Sequence, residues 1–133
     1  PATGSAASRA SIGVGRGELL PYASYYLTGF LQERPLAELR GDLARLGIAR
    51  AEGVPEPEDH LAFLCETYAG LLAGAFPAGP EHAAPFFARH MRAWAGRCFS
   101  DLEAAEAARF YRPVGRLGRL AMELESAAAD LPA

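Results

Sequence analysis

The sequence predicts an all-α protein, and three observations lead to that prediction. Leucines recur at three- and four-residue steps over residues 36–46, and residues 61–72 repeat this apolar period more strongly. No segment shows the two-residue alternation that is typical of a half-buried strand. Half of the 133 residues are hydrophobic, which is ordinary for a globular core. We therefore expect a single-domain helical bundle of about five or six helices.

The first two helices are indicated by aromatic and leucine spacing. Residues 1–18 are mainly small and aperiodic, so we expect a flexible N-terminal segment followed by a helical domain over residues 19–133. A short helix should end near Gly29 and present Tyr22, Tyr25, Tyr26 and Phe30. Pro35 is well placed to begin the second helix, and Gly47 is placed to end it. The apolar face of the second helix is Leu36, Leu39, Leu43 and Leu46.

The remaining helices follow the segment EPEDHLAFLCE (56–66). A third helix should begin inside that segment, with Pro57 in its first turn, and bury Leu61, Leu64, Cys65, Tyr68, Leu71 and Leu72. After FPAGP (76–80), a fourth helix should carry Phe87, His90, Met91, Trp94 and Cys98 on one inner face. SDLE (100–103) has the spacing of a capping box, and Pro113 should kink or interrupt the last helix. The apolar stripe expected after that proline is Val114, Leu117, Ala121 and Leu124.

The charge is unevenly distributed along the chain, although the net charge is only -3. Residues 51–88 hold six acidic residues and neither Lys nor Arg, whereas the segments on either side contain all of the arginines. A local acidic segment argues against nucleic acid as the main partner, because nucleic-acid binding requires a basic surface. No apolar run approaches the roughly 20 residues of a membrane span, and residues 1–21 lack the pattern of a secretory signal. We therefore expect a soluble protein without stable membrane insertion.

The two cysteines, Cys65 and Cys98, lie far apart in separate apolar runs. A zinc site needs about four ligands at close spacing, so the sequence predicts no metal site and no cofactor. A disulfide between the two cysteines stays open at this level, although buried free thiols are the simpler interpretation.

The segment EPEDHLAFLCE has a local and a functional interpretation. Acids at the start of a helix interact favourably with its dipole, which would account for Glu56, Glu58 and Asp59. The dipole does not account for His60, since a positive charge is disfavoured there. An alternative is a small helical enzyme that uses Asp59 and His60 for acid–base chemistry. Neighbouring residues on a helix do not face each other, and no nucleophile motif is present, so catalysis is the weaker hypothesis.

Several segments resemble the TorD/DmsD/NarJ family of redox-enzyme maturation chaperones. They are LLPYASYYLTG (19–29), LRGDLARLGIA (39–49), EPEDHLAFLCE (56–66), FFARHMRAWAGRCFSDLEAA (86–105) and ARFYRPVG (108–115). They occur in the family's order and span most of residues 19–125. The acidic Asp-His stretch, followed by a helix with Phe-Phe, His and Trp, is fairly specific, whereas leucine stripes alone would not be.

The resemblance implies an all-helical, cytoplasmic protein that is not an enzyme. Its relatives bind the twin-arginine leader of a molybdopterin oxidoreductase precursor and delay export until the cofactor is inserted. Some relatives also contact the catalytic subunit. The family's Asp-His pair, implicated in leader binding, falls on Asp59 and His60, and Glu56 and Pro57 match the preceding positions. Together with Glu58, these residues are the predicted peptide-binding surface.

An apolar groove beside the acidic segment would bind the leucine-rich part of a leader. The residues predicted to line it are Phe87, His90 and Trp94. Carboxylates bind guanidinium groups by paired, charge-assisted hydrogen bonds, which would account for the acidic segment.

The chain differs from its relatives at the N-terminus. They usually carry several more helices before the segment that matches LLPYASYYLTG, so we expect those helices either to be lacking in this protein or to precede the sequence given. Exposed apolar faces could then favour a homodimer formed by domain exchange. A third hypothesis is a helical assembly module without a peptide pocket.

Overall fold

The computed structural model describes residues 19–49, 53, 55–104 and 112–132. These residues form six α-helices and one short 3₁₀ turn, with no strand among them, which confirms the all-α prediction. The helices are α1 (Ala23–Thr28), α2 (Arg34–Leu46), α3 (Leu61–Leu72), α4 (Ala83–His90), α5 (Ala95–Ala104) and α6 (Arg112–Ala129), with the 3₁₀ turn Pro80–His82 before α4. The predicted flexible segment over residues 1–18 lies outside the described residues.

Helices α1 and α2 end and begin where the sequence predicts. Gly29 closes α1 with a φ of 88°, and Gly47 closes α2 with a φ of 71°. Both conformations are left-handed, which glycine adopts without steric cost. Pro35 lies in the first turn of α2. Leu36, Leu39 and Leu43 are buried, and they lie on the face of α2 that the leucine spacing indicated.

The core is formed by side chains from α1 to α5 and from residues 91–94. Trp94 and Phe87 are each 1% exposed, and Tyr26 packs against Trp94 with its ring centroid 5.4 Å away. The indole N–H of Trp94 donates a 2.8 Å hydrogen bond to the His90 carbonyl. Burial of Phe87 and Trp94 therefore agrees with the inner face that the sequence predicted. Leu72 was predicted to belong to the buried face of α3, but it is 53% exposed.

The predicted fourth helix is in fact two helices, α4 and α5, joined by a turn at residues 91–94. The Phe87 carbonyl accepts hydrogen bonds from both Met91 and Arg92, at 3.0 and 2.9 Å. The second of these bonds spans five residues rather than four, which widens the helix locally. As a result Met91 and Trp94 still face the core, although the helix is not continuous.

One expectation for the C-terminal part was wrong. Helix α5 runs through residues 100–103, so SDLE lies inside a helix and does not begin one. Helix α6 is described from Arg112 onward and contains Pro113. The expected helix through Phe110 and Tyr111, and with it the kink or interruption predicted at Pro113, lies outside the described residues.

Helix α6 packs closely on α5 through two glycines. A Cβ on Gly115 would lie 2.6 Å from the Glu103 backbone nitrogen, and one on Gly118 would overlap the Phe99 ring. Tyr68 of α3 also donates a hydrogen bond to Glu125 of α6. Val114, Leu117 and Leu124 were expected to form the buried stripe, yet they are 54%, 71% and 70% exposed. Helix α6 therefore packs on α5 with the face that holds Gly115 and Gly118.

Candidate functional site

The Asp-His segment lies against the start of α1. The Asp59 carbonyl accepts a 3.0 Å hydrogen bond from the backbone N–H of Ala23, and the Leu61 N–H donates to the Pro21 carbonyl at 2.8 Å. Tyr22 and His60 form an isolated antiparallel bridge at the same place. Two segments separated by more than thirty residues in the sequence are therefore held side by side.

Asp59 provides the side-chain cap for α1. Its Oδ2 atom accepts a 2.8 Å hydrogen bond from the Ser24 backbone N–H, which is one of the amides that a helix N-terminus leaves without an internal partner. The side chain is 1% exposed. The negative charge also lies at the positive end of the α1 dipole. Asp59 thus stabilises α1 rather than the helix that follows it in the sequence.

His60 is the N-cap residue of α3. Its Nδ1 atom accepts a 3.0 Å hydrogen bond from the Ala62 backbone N–H, so the ring proton of this tautomer is on Nε2. The ring also packs edge-on against Tyr22, with centroids 5.0 Å apart. Helix α3 begins at Leu61 and has no acid in its first turn. The expectations that Pro57 lies in that turn and that its acids interact with the α3 dipole were therefore wrong.

The other acids of the segment differ in exposure. Glu58 is 8% exposed and forms a salt bridge with Arg40 of α2 at 2.9 Å. Glu56 and Pro57 are partly exposed. Burial, together with the nearby carboxylates of Glu56 and Asp59, raises the pKa of Tyr22 to about 12. The acidic segment is thus packed against α1 and α2, with only part of its surface accessible.

A small cavity of about 50 Å³ opens beside Asp59. Asp59 Oδ1 is buried and has no hydrogen-bond partner among the described residues. A buried carboxylate oxygen without a donor is rare in folded proteins. The cavity is also lined by Leu27, Pro35, Glu38, Arg89 and His90.

A cluster of charged residues lines both this cavity and a larger groove. Asp42 Oδ2 lies 2.5 Å from His90 Nε2, and Asp42 Oδ1 lies 3.1 Å from Arg89 Nη1. Arg45 forms a further ion pair with the same carboxylate. Burial and the neighbouring Arg89 lower the pKa of His90 to about 4. His90 is therefore neutral near pH 7 and donates its Nε2 proton to the Asp42 carboxylate.

The larger groove lies between the end of α2 and the start of α4. Its volume is about 570 Å³. Arg89 lines both the groove and the small cavity. The apolar residues of the groove are Leu46, Pro77, Ala78, Pro85 and Phe86.

The residues that the sequence predicted for an apolar groove are mostly elsewhere. Phe87 and Trp94 are core residues and line neither the groove nor the cavity. Only His90 of the predicted three reaches a cavity, the one beside Asp59. The groove is lined by Phe86, the residue before the predicted Phe87. Residues 86 and 87 point in directions about 100° apart on an α-helix.

Two contributors were missed by sequence reasoning. Ser24 contributes only a backbone amide, which leaves no signal in the sequence. Asp42 had a signal, because it follows Leu39 by three residues and so lies on the buried face of α2. A buried acid on an apolar face requires a partner, and His90 with its arginine neighbours is that partner.

The cysteine thiols are not suited to chemistry. Burial raises the pKa of Cys65 to about 11 and that of Cys98 to about 12. Within residues 19–49, 53, 55–104 and 112–132, no group of three or more His, Cys, Asp or Glu could hold a metal ion. None of the helices in the described part of the chain is long and apolar enough to cross a membrane.

These features define a small all-helical protein whose Asp-His segment joins two helices beside a cavity. The chain belongs to the nitrate reductase delta subunit family, whose model matches residues 8–100. This NarJ/TorD-type family is one of redox-enzyme maturation chaperones, and it implies interaction with subunits of nitrate-reductase-type molybdoenzymes. Neither the curated proteins nor the solved structures contain a match to the chain.

Proposed function

We propose that this protein is a cytoplasmic maturation chaperone that binds the twin-arginine leader of a molybdopterin oxidoreductase precursor. By holding the leader, it delays export until the cofactor has been inserted. It can also contact the catalytic subunit itself. The observation that carries this proposal is the buried Asp59 carboxylate, whose Oδ1 atom has no donor among the described residues and which lines a small cavity.

A guanidinium group is the ligand that this cavity suits best. Arginine carries five N–H donors in a planar fork and stays charged at all relevant pH values. Asp59 supplies an acceptor, and the exposed Glu38 supplies a second carboxylate at the edge of the same cavity. Hydrogen bonds between ionised partners are stronger than neutral ones. One arginine of a leader would therefore complete the hydrogen bonding of Asp59.

The larger groove supplies a surface for the apolar part of a leader. It adjoins the cavity at Arg89, and its apolar lining includes Phe86, Pro77 and Pro85. A peptide with arginines followed by leucine-like residues presents the two chemistries in that order. Peptides of this kind bind along apolar grooves that have a few fixed polar contacts. The partly exposed Glu56, Pro57 and His60 are on the same Asp-His segment and add to the proposed surface.

The acid–base enzyme hypothesis gains no support from the contacts. Asp59 Oδ2 accepts from the Ser24 amide, and His60 Nδ1 accepts from the Ala62 amide. Each side chain thus caps a different helix. A proton-transfer pair needs one group oriented by the other, and these contacts orient both toward the backbone.

The test uses a synthetic peptide with two consecutive arginines followed by a leucine-rich segment. Its affinity is measured by calorimetric titration, together with that of a peptide in which both arginines are lysines. We expect the lysine peptide to bind at least about tenfold more weakly, because lysine cannot form the paired contact. Equal affinities would contradict recognition of guanidinium groups.

Variants locate the binding site. Glu38→Gln removes a carboxylate that lines the cavity, whereas Glu81→Gln, on an exposed side chain that does not line it, is the matched control. Binding should weaken for Glu38→Gln and for Asp59→Asn, but not for Glu81→Gln. Unchanged affinity in the first two variants would remove the cavity from the site. Co-purification with a client precursor, with and without its leader, then tests the biological partner.

A further inference from the structure

Two arginines from different helices lie on the wall of the larger groove. Arg45 belongs to α2 and Arg89 to α4, and both pair with the same Asp42 carboxylate. Asp42 is 8% exposed, and its second oxygen lies 2.5 Å from His90 Nε2. A buried carboxylate keeps its partners in place, because a lost contact would leave its charge uncompensated. The two guanidinium groups are therefore held at fixed positions on the groove wall.

The shared pairing leaves a surplus of positive charge in the groove. Arg45 and Arg89 carry two positive charges, and Asp42 is the only carboxylate among the described residues that line the groove. The two arginine side chains are 64% and 55% exposed. Each guanidinium group has five N–H donors, which is more than one shared carboxylate can accept. The groove can therefore accept one further negative charge.

The rest of the groove determines what should carry that charge. Apart from His82, the remaining lining residues are apolar or small, and they include Leu46, Pro85 and Phe86. A ligand that fills the groove must therefore combine apolar groups with one anionic group. An acidic residue beside apolar residues of a peptide provides this combination. A phosphate group fits less well, because it carries close to two negative charges and Asp42 would repel the second.

We propose that the groove selects a peptide with one acidic residue beside its apolar residues, and that this carboxylate pairs with Arg45 and Arg89. The apolar side chains of the peptide pack on Phe86 and Leu46. This selectivity rests on the proposed function only in requiring a peptide ligand, and it does not depend on arginines in that peptide. Arg89 also lines the cavity beside Asp59, so in a leader the carboxylate would offset the repulsion between Arg89 and a leader arginine bound there.

The first experiment uses a series of synthetic peptides with two arginines followed by a leucine-rich segment. In each peptide one position of that segment holds Glu, and a matched peptide holds Gln at the same position. Calorimetric titration should show, for at least one position, an affinity about three- to tenfold higher for the Glu peptide. The factor is modest because both arginines of the groove are partly exposed to water. Lys at the same position should bind more weakly than Gln.

The second experiment locates this preference on the protein. Arg45→Gln and Arg89→Gln should each bring the ratio of the Glu-peptide affinity to the Gln-peptide affinity close to one. Arg92→Gln is the matched control, because Arg92 pairs with Asp130 and lines neither the groove nor the cavity. A purely structural role of the two arginines would lower both affinities alike and leave the ratio unchanged. Circular dichroism melts check that every variant is folded.

The outcomes separate this proposal from the proposed function. A ratio close to one at every position overturns the selectivity, and so does a ratio that the two arginine variants do not change. The peptide series on the parent protein remains decisive where a variant fails to fold. A Glu preference that persists when the peptide's arginines are replaced by lysines, without loss of affinity, supports the selectivity and contradicts leader recognition. Absence of binding by every peptide overturns both.

Discussion

The Asp59 carboxylate accepts a hydrogen bond from the Ser24 backbone amide at 2.8 Å, across 35 positions of the sequence. This contact makes an acid from one segment the cap of a helix in another. Its neighbour His60 caps α3. The two adjacent residues stabilise two different helices, and they hold the edge of the cavity in place.

Removal of the Asp59 carboxylate should destabilise the fold. We expect Asp59→Ala to lower the free energy of unfolding by about 1–2 kcal/mol, because a cap on a buried helix start is lost. A purely exposed recognition residue would give almost no change. Urea unfolding followed by circular dichroism measures the difference, and Glu81→Ala serves as the control on an exposed acid. Equal stability of Asp59→Ala and the parent protein would contradict the capping role.

The close contact of α6 with α5 should depend on Gly115. Gly115→Ala would place a methyl group 2.6 Å from the Glu103 backbone nitrogen, and backbone cannot move aside as a flexible side chain can. We expect a loss of about 1–3 kcal/mol. Gly41→Ala is the matched control in α2, because its nearest neighbour would be an Arg45 side-chain atom at 3.7 Å.

The Gly41 control should change stability in the opposite direction. Alanine is favoured over glycine in a helix by about 0.5–1 kcal/mol, so Gly41→Ala should be neutral or stabilising. Thermal melts of both variants are compared under the same conditions. Equal stability of Gly115→Ala and Gly41→Ala would contradict the close packing of α6 on α5.

Truncation of the Trp94 side chain should produce a large loss of stability. Trp94 is 1% exposed, and its indole N–H is bonded to the His90 carbonyl. Trp94→Ala should therefore cost about 3–5 kcal/mol through the cavity that it leaves. Chemical unfolding measures this cost, with Leu72→Ala as the exposed control, for which a change within about 0.5 kcal/mol is expected. An unchanged midpoint for Trp94→Ala would show that the ring is not part of the core.

The buried His90 should make stability depend on pH. Its pKa is lowered from 6.5 to about 4 in the folded protein, so between these values the unfolded chain binds the additional proton. This contribution is fully present above about pH 6.5 and is lost as the pH falls toward 4. Its size is on the order of 3 kcal/mol, since one pKa unit corresponds to 1.36 kcal/mol.

Unfolding free energies measured at several pH values test this assignment. His90→Gln should flatten the dependence between pH 4 and 6.5, whereas the same change at the exposed His82 should leave it as it is. If the parent protein and His90→Gln show the same dependence, His90 is not the titrating group.

Leader binding, if it uses the acidic segment, should weaken with salt. The exposed Glu38 and the partly exposed Glu56 would interact with a cationic peptide through water and ions. Such interactions are screened over about 8 Å at physiological ionic strength. Calorimetric titrations at low and high salt should show an affinity that falls several-fold. Asp59 is buried, so a residual affinity should persist at high salt. An affinity that does not change with salt would mean that only the apolar part of a leader is recognised.

The helical class, the two glycine-ended helices and the burial of Trp94 could all be predicted from the sequence alone. Those features follow from local rules, because apolar spacing selects a helix face and Gly and Pro limit where a helix can run. The tertiary structure decided which helix each polar residue serves. Asp59 was assigned to the helix that follows it, yet it caps α1, since a buried side chain satisfies whichever unpaired amide lies nearest in space.

The apolar stripes of α2 and α6 are a second case in which tertiary contacts decide the outcome. The leucines of α2 and those of α6 have similar spacing, but the first set is buried and the second is exposed. Helix periodicity specifies which residues share a face and does not specify what that face contacts. In α6, Gly115 and Gly118 determine which face packs on α5, because their lack of a side chain allows the two helices to approach closely. Packing of two helices depends on the surfaces of both, and this information is not present in either helix alone.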